Sequence, residues 1–454
     1  MERFHRIVDA VRHELWPLPA VGIGLGLVLG FVLPAVDGRL PGARTWLSDW
    51  VFGGSAEAAR SILGTISGSV VTVTTLTFSL TLVVLQLASS QYTPRLLRKF
   101  TGDHVVHGTL AVFLGTFAYS LGVLRTVRNE RAGEAAFVPG ISVTVAFLLA
   151  VVVVVQLVVF LSHVATSIRL ETILQDVAEE GRAALRRAYR GSRPADPSFP
   201  QAHPAAAIPA SGTGFVTEVD AASIASAASG GGWTVEMTVS PGDFITAGQT
   251  VGLVRRAETA HRLTGDETAA AAGSLNGAIA LGRERTALQD PLFPVQQMVD
   301  ISNRALSPGV NDSTTALHCL HYLGSVLTAA AALDVRDDHQ YDDGGTLRVV
   351  TPRPAFREIA GLMVHDAVAF GRDHVHILCK VFDLLHEAAL CDTANRYSSD
   401  FHELIDDLVA ALDPADRTPR DAERIRRAVT GAREAAVGRH DLLAGDVAER
   451  TGDA

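Results

Sequence analysis

Thr72, Thr75, Ser79, Gln86 and Ser90 recur through an otherwise apolar stretch. Advancing about 100° per residue, they fall within a helical sector of about 60°, with Thr65 beside it. Hydroxyls and a carboxamide in one file can bind water or an ion, or join one helix to another. A serine or threonine can return its hydrogen to its own backbone, whereas Gln86 cannot satisfy itself completely and requires a partner or water. Two readings are open. The stripe packs against neighbouring helices as hydrogen-bonded glue, or it lines a hydrated passage at the axis of an oligomer. Thr74, Thr77 and Thr81 form a second set on the opposite side, so one set can pack while the other meets water.

No charge occurs between Ile62 and Thr93. As one helix this run would measure ~48 Å at 1.5 Å per residue, so it must tilt, break near Gly64 and Gly68, or protrude. Beyond Pro94, the cations Arg95, Arg98 and Lys99 fall at headgroup level on the inner face, as interfacial anchors or as an inner mouth. Arg125 and Arg128 are their counterparts on the far side, snorkelling outward or ringing an outer mouth.

A second set of chemically capable residues lies in "GRERTALQDPLFPVQQMVDISNRALSPGVNDSTTAL". Arg283, Arg285, Asp290, Arg304, Asn311 and Asp312 could converge on a pocket for an anion or small molecule, where a helix start favours negative charge. A local account is favoured over it: Asp300 and Arg304 are spaced for an ion pair, and Asn311 or Asp312 suits an N-cap. His318 with His321, and His374 with His376, lack further ligands at set positions, so no metal site is expected. Cys319, Cys379 and Cys391 show no paired ligand spacing and point to a reducing compartment. With no nucleophile, phosphate loop or acid–base pair in view, the sequence predicts neither an enzyme nor a bound cofactor.

Four stretches meet the length needed to cross a bilayer, about 20 mostly apolar residues: roughly 17–36, 68–90, 104–124 and 138–162. The first is read as a retained anchor, because no cleavage site follows it. Arginine placement sets the amino terminus inside, and an even number of crossings puts both termini in the cytoplasm. "RLETILQDVAEEGRAALRRAYRG" continues as a juxtamembrane or interfacial helix, and the proline-rich run after it marks a domain boundary, so 169–212 is a linker following a membrane domain of 1–168.

From 213 to 260 alternation and tight turns at Pro241-Gly242-Asp243 and Ala247-Gly248-Gln249 predict a small β domain. "PGDFITAGQTVGLV" resembles half of a biotinyl/lipoyl-type barrel sandwich. A carrier would need a lysine at the hairpin tip, and none lies between Lys99 and Lys380, so the expectation is a rigid adaptor. Residues 261–445 predict a helical cytosolic domain, with helices near 270–282, 291–306, 312–333, 355–372, 374–391, 396–412 and 418–443, a strand in "TLRVVTPRP", and a disordered tail over 446–454. The fold class is thus an α-helical integral membrane domain with four transmembrane helices, a barrel-sandwich-like β domain and a mainly α-helical cytosolic domain.

In 454 residues the net charge of -10 falls mostly beyond residue 260, which argues against nucleic acid as a partner. The runs "TFSLTLVVLQLASSQYTPRLLRKF", "GTFAYSLGVLRTVR" and "DPLFPVQQMVDISNRALSPGVND" together resemble the bacterial domain-of-unknown-function 2254 family of predicted inner-membrane proteins. The resemblance runs from the second span to about residue 380, implies a membrane region with a soluble carboxy-terminal part, and implies no established activity. The expected function is a homo-oligomeric channel-like or transport protein of the bacterial inner membrane, passing an ion or small solute along its second helix. The alternative is a membrane-anchored scaffold or sensor that binds a partner or ligand without transport.

Overall fold

The structure is a computed structural model that describes residues 16–39, 51–91, 103–129, 136–167, 169–190, 203–257, 261–412 and 417–437, with the side chains of 87–91 left aside. Arg95, Arg98 and Lys99 lie outside the described residues. The chain divides into two compact units, Met1–Thr172 and Ile173–Ala454.

The first unit consists, among the described residues, of α1 (Pro17–Arg39), α2 (Ala56–Gln91), α3 (His104–Thr126) and α4 (Gly140–Ser167). All four are long and apolar enough to cross a membrane. α3 is the central one, with 56% of its apolar window buried, against 22%, 17% and 22% for α1, α2 and α4. α1 runs parallel to α3 in close backbone contact: a Cβ at Gly22 would stand 2.4 Å from the Ala111 carbonyl oxygen, and one at Gly26 2.2 Å from that of Gly115. Lipid tails are as apolar as leucine, so such small-residue seams hold membrane helices together where hydrophobic burial cannot. α2 and α4 run antiparallel to α3, and their apolar side chains share one core with it, including Leu63, Val70, Phe113, Val123 and Val153.

α2 is longer than the span expected at 68–90. It is continuous for 36 residues with no break at Gly64 or Gly68, about 54 Å by helical rise. Its early start is fixed by Ser55, whose Oγ accepts from Ala58 N, and by Arg60, which donates to the Val127 carbonyl at the end of α3.

The second unit begins in α5 (Leu170–Ala188). The sequence reads this helix as juxtamembrane, but its apolar stripe of Ile173, Leu174, Val177, Ala184 and Leu185 is buried, and Gly181 packs on Pro294 and Val326. From Ile173 onward the helix therefore belongs to the core of the second unit. Next come β1 (Ala206–Pro209), β2 (Gly214–Val219), α6 (Ala221–Gly231), β3 (Trp233–Met237), β4 (Phe244–Ile245), β5 (Thr250–Arg256), α7 (Gly265–Ala278) and β6 (Ile279–Gly282). The chain continues through α8 (Leu292–Leu306), α9 (Ser313–Ala331), β7 (Asp338–Tyr341), β8 (Leu347–Thr351), α10 (Phe356–Phe370), α11 (Val375–Cys391), α12 (Ser398–Ala410) and α13 (Pro419–Ala436).

The strands do not close into a barrel sandwich. They form two open sheets, one of five strands in the order β1-β5-β3-β8-β7 and one of three in the order β4-β2-β6. Two features open the expected barrel. Asp220 caps an unexpected helix, α6, by accepting from Ser223 N, and left-handed Gly232 ends it. β3 then pairs in parallel with β8, so the sheet is completed by residues from the helical half of the unit. Its core gathers Ile208, Val235, Val254, Leu275 and Val349. The expected helix at 270–282 begins earlier, at a capping box of Thr264 and Glu267, and its last residues, "IALG", form β6 instead.

Candidate functional site

α2 resolves its hydroxyls into two classes. Thr65, Thr72 and Thr75 each donate to the carbonyl four residues back, at 2.8, 2.9 and 3.0 Å, so these side chains are satisfied without any neighbour. Thr72, Thr75, Ser79 and Gln86 are all exposed on the outward face of the four-helix unit. Ser90 is helical, and its side chain lies outside the described residues. Gln86 has no hydrogen-bond partner among the described residues, as a carboxamide too long to cap its own turn would not. Thr74, Thr77 and Thr81 instead face inward, with Thr77 1% exposed. The helix is amphipathic in opposite senses: one polar file is committed to the unit's interior and the other is left for whatever surrounds it.

The interior file leads to groups that the sequence reading missed. Asp103 caps α3 by accepting from Val105 N at 2.8 Å, and its other oxygen lies 2.5 Å from His163 Nε2 on α4. Ser167 Oγ is 3.2 Å from the same nitrogen. Both contacts fall on one ring nitrogen, so aspartate does not orient the histidine toward serine as a hydrolase triad requires. Beside them a cavity of about 20 Å³, lined by Thr81, Leu85, Asp103, His163 and Ser167 among others, is the size of a single water. One helical layer away, Gln156 donates to Thr109 at 2.8 Å. At the opposite end of the unit Asp37, 9% exposed, accepts from Ser142 N at the start of α4, and the Tyr119 hydroxyl donates to the Ser142 carbonyl. A usable sequence signal existed: Asp37, Asp103 and His163 are ionisable groups within or bordering apolar spans, and such groups turn inward and pair.

Arg125 and Arg128 stand exposed at the end of α3, beside α1. No element of α2 lines the groove they share.

In the second unit the six proposed pocket residues fall into separate local arrangements. Asp290, 2% exposed, receives Arg285 in a two-pronged ion pair at 2.7 and 3.0 Å and also accepts from Leu292 N and Phe293 N. Gly242, with φ of +103°, leaves no room for a side chain here: a Cβ would meet the Asp290 carboxylate at 2.5 Å. Asp312 caps α9 through Thr314 N and Thr315 N, and these bonds, led by that of the Thr315 hydroxyl, hold its carboxyl below the usual range. Asn311, in a left-handed conformation, places Oδ1 2.9 Å from His374 Nε2. Arg304 occupies the last turn of α8, and Arg283 is exposed on the loop after β6. Capping and pairing thus account for Asp290, Arg285 and Asp312. Burial pushes His321 and His376 down, and no group of three or more potential metal ligands occurs among the described residues.

The family model for the predicted membrane protein DUF2254 matches residues 12–387. An uncharacterised protein of Mycobacterium tuberculosis is 34% identical over 393 residues, covering 86% of this chain and 74% of its own. One of Mycobacterium bovis matches to the same extent. No solved structure matches the chain.

Proposed function

The chain belongs to the DUF2254 family of predicted membrane proteins, and from that premise we propose a homo-oligomeric assembly in which outward faces of α2 meet and line a path for an ion or small solute. It sits in the bacterial inner membrane with both termini in the cytoplasm, and its second unit serves as vestibule or regulatory body. The observation that carries this reading is Gln86, exposed within the uncharged stretch of α2 that follows Arg60 and unpartnered among the described residues. A polar group left unsatisfied in hydrocarbon costs several kcal/mol, so a second copy or water must supply what one subunit lacks. Thr72, Thr75 and Ser79 extend the same file over more than three turns.

Purified protein in liposomes tests the proposal. Flux of some ion under voltage, tension or pH change, altered by Gln86→Leu, is the expected result; no flux under any of these conditions removes the transport reading. A second reading is favoured by the threonines' bonds to their own backbone, which leave them no need of water. It is a membrane-anchored scaffold or sensor whose second unit binds a partner or metabolite. In that case Ser79→Ala and Gln86→Leu leave the cellular phenotype unchanged, while Arg304→Ala or Asp312→Ala abolishes it.

A further inference from the structure

Where α1 and α3 end together, the first unit carries an open groove of about 660 Å³. Apolar Phe31, Ala35 and Phe137 line it together with the cations Arg125 and Arg128. Arg128 is held in place. Arg128 and Phe137 exchange two backbone hydrogen bonds, Arg128 N to Phe137 O at 3.0 Å and Phe137 N to Arg128 O at 3.1 Å. The Phe137 ring lies over α1 at Gly38, where a Cβ would stand in ordinary contact with it at 3.4 Å. Both arginines are exposed, and neither has a carboxylate partner among the described residues.

Two guanidinium groups without a carboxylate partner among the described residues, at the end of an apolar span and beside apolar side chains, match one chemistry: a phosphate joined to hydrocarbon. Arginine takes phosphate through two parallel hydrogen bonds. Free phosphate would have no use for Phe31 and Ala35, and an acyl chain alone none for the arginines. We propose that this groove binds the headgroup of an anionic phospholipid, with phosphate between Arg125 and Arg128 and the first carbons of the lipid on Phe31, Ala35 and Phe137. The site lies on α1 and α3 and stands or falls separately from the path along α2.

Native mass spectrometry of the full chain in detergent, offered equal amounts of phosphatidylglycerol and phosphatidylcholine, tests it. The expected result is a preference for phosphatidylglycerol that drops roughly fivefold for each arginine replaced by glutamine, at about 1 kcal/mol per basic residue near a lipid surface. Arg125→Lys with Arg128→Lys, which keeps the charge, retains part of the preference, and Arg39→Gln, outside the groove, leaves it intact. Equal binding of both lipids by the native chain overturns the proposal. So does displacement of the lipid by millimolar inorganic phosphate, which identifies a soluble-anion site, or an unchanged preference in the double glutamine variant.

Discussion

The polar residues of α2 illustrate how far residue types can be read without coordinates. The 100° arithmetic separates Thr72, Thr75, Ser79 and Gln86 from Thr74, Thr77 and Thr81, and the structure places the first set outward and the second inward. Asp103 and His163 were not legible in this way, because their meeting joins positions 60 residues apart on antiparallel helices. Asp103→Ala removes both a helix cap and the partner of His163. It should lower stability in detergent by about 1–3 kcal/mol, measured as a lower unfolding temperature. The second unit offers two further checks at this scale. Burial pushes the Cys319 thiol up to about 12, so of the three cysteines it should be the last to react with iodoacetamide at pH 8, read by peptide mass spectrometry. Folding lowers His321 and His376 below 6.5, and Asp220 and Asp312 below 3.8. A lowered folded value means that the unfolded chain binds protons first. The contributions of these four groups are therefore fully present above pH 6.5, with the histidine part lost as pH falls below that value and the aspartate part lost below 3.8, while burial raises Asp383 and Asp400 and so opposes the second loss; acid titration of unfolding, with His321→Gln and Asp312→Asn flattening their own steps, checks this.

At the scale of elements, length and apolarity sufficed for the four spans, and periodicity sufficed for α8 to α13, whose ends fall within a few residues of expectation, the last expected turns of α13 at 438–443 and the tail at 446–454 lying outside the described residues. The failures have physical causes. α6 was submerged in a β-textured stretch because alanine and serine carry little period, and only the Asp220 cap and Gly232 mark its ends. The stripe of α5 packs on protein, which its sequence alone does not tell, because an amphipathic helix reads alike whether its apolar stripe meets lipid or protein. The α1–α3 seam yields a paired prediction. Gly26→Ala drives a methyl toward the Gly115 carbonyl, which a Cβ would approach to 2.2 Å, whereas a Cβ at Gly24 meets nothing within 4 Å. Gly26→Ala should destabilise by about 1–3 kcal/mol and Gly24→Ala by little, both read from thermal unfolding in the same detergent. In the second unit Asp290→Ala strands Arg285 and two amide donors, and a loss of about 3–5 kcal/mol in denaturant unfolding is expected.

For the whole molecule, sequence reading found a membrane region followed by a mixed body but mistook how that body is assembled. Val235 pairs with Val349 across more than a hundred residues of chain, a parallel contact that no local pattern announces, so an open sheet replaced the expected barrel. The candidate site was half legible for a related reason. A one-sided stripe can be computed from one helix, but what covers it depends on copies of the chain that a single sequence does not display. Introducing Ser79→Cys and looking for a disulfide-linked dimer in native membranes checks the proposed meeting of α2 helices. A linked species absent from the parent chain is the expected outcome.

The central position of α3 also bears on biosynthesis. α1 finds its seam on a helix that follows it by two crossings, and α2 shares its core with the same helix. A nascent chain halted after the second crossing therefore holds two spans in the bilayer with their main partner still unmade. Until translation delivers it, the small-residue face of α1 and the inward face of α2 are without the surface that covers them in the finished chain.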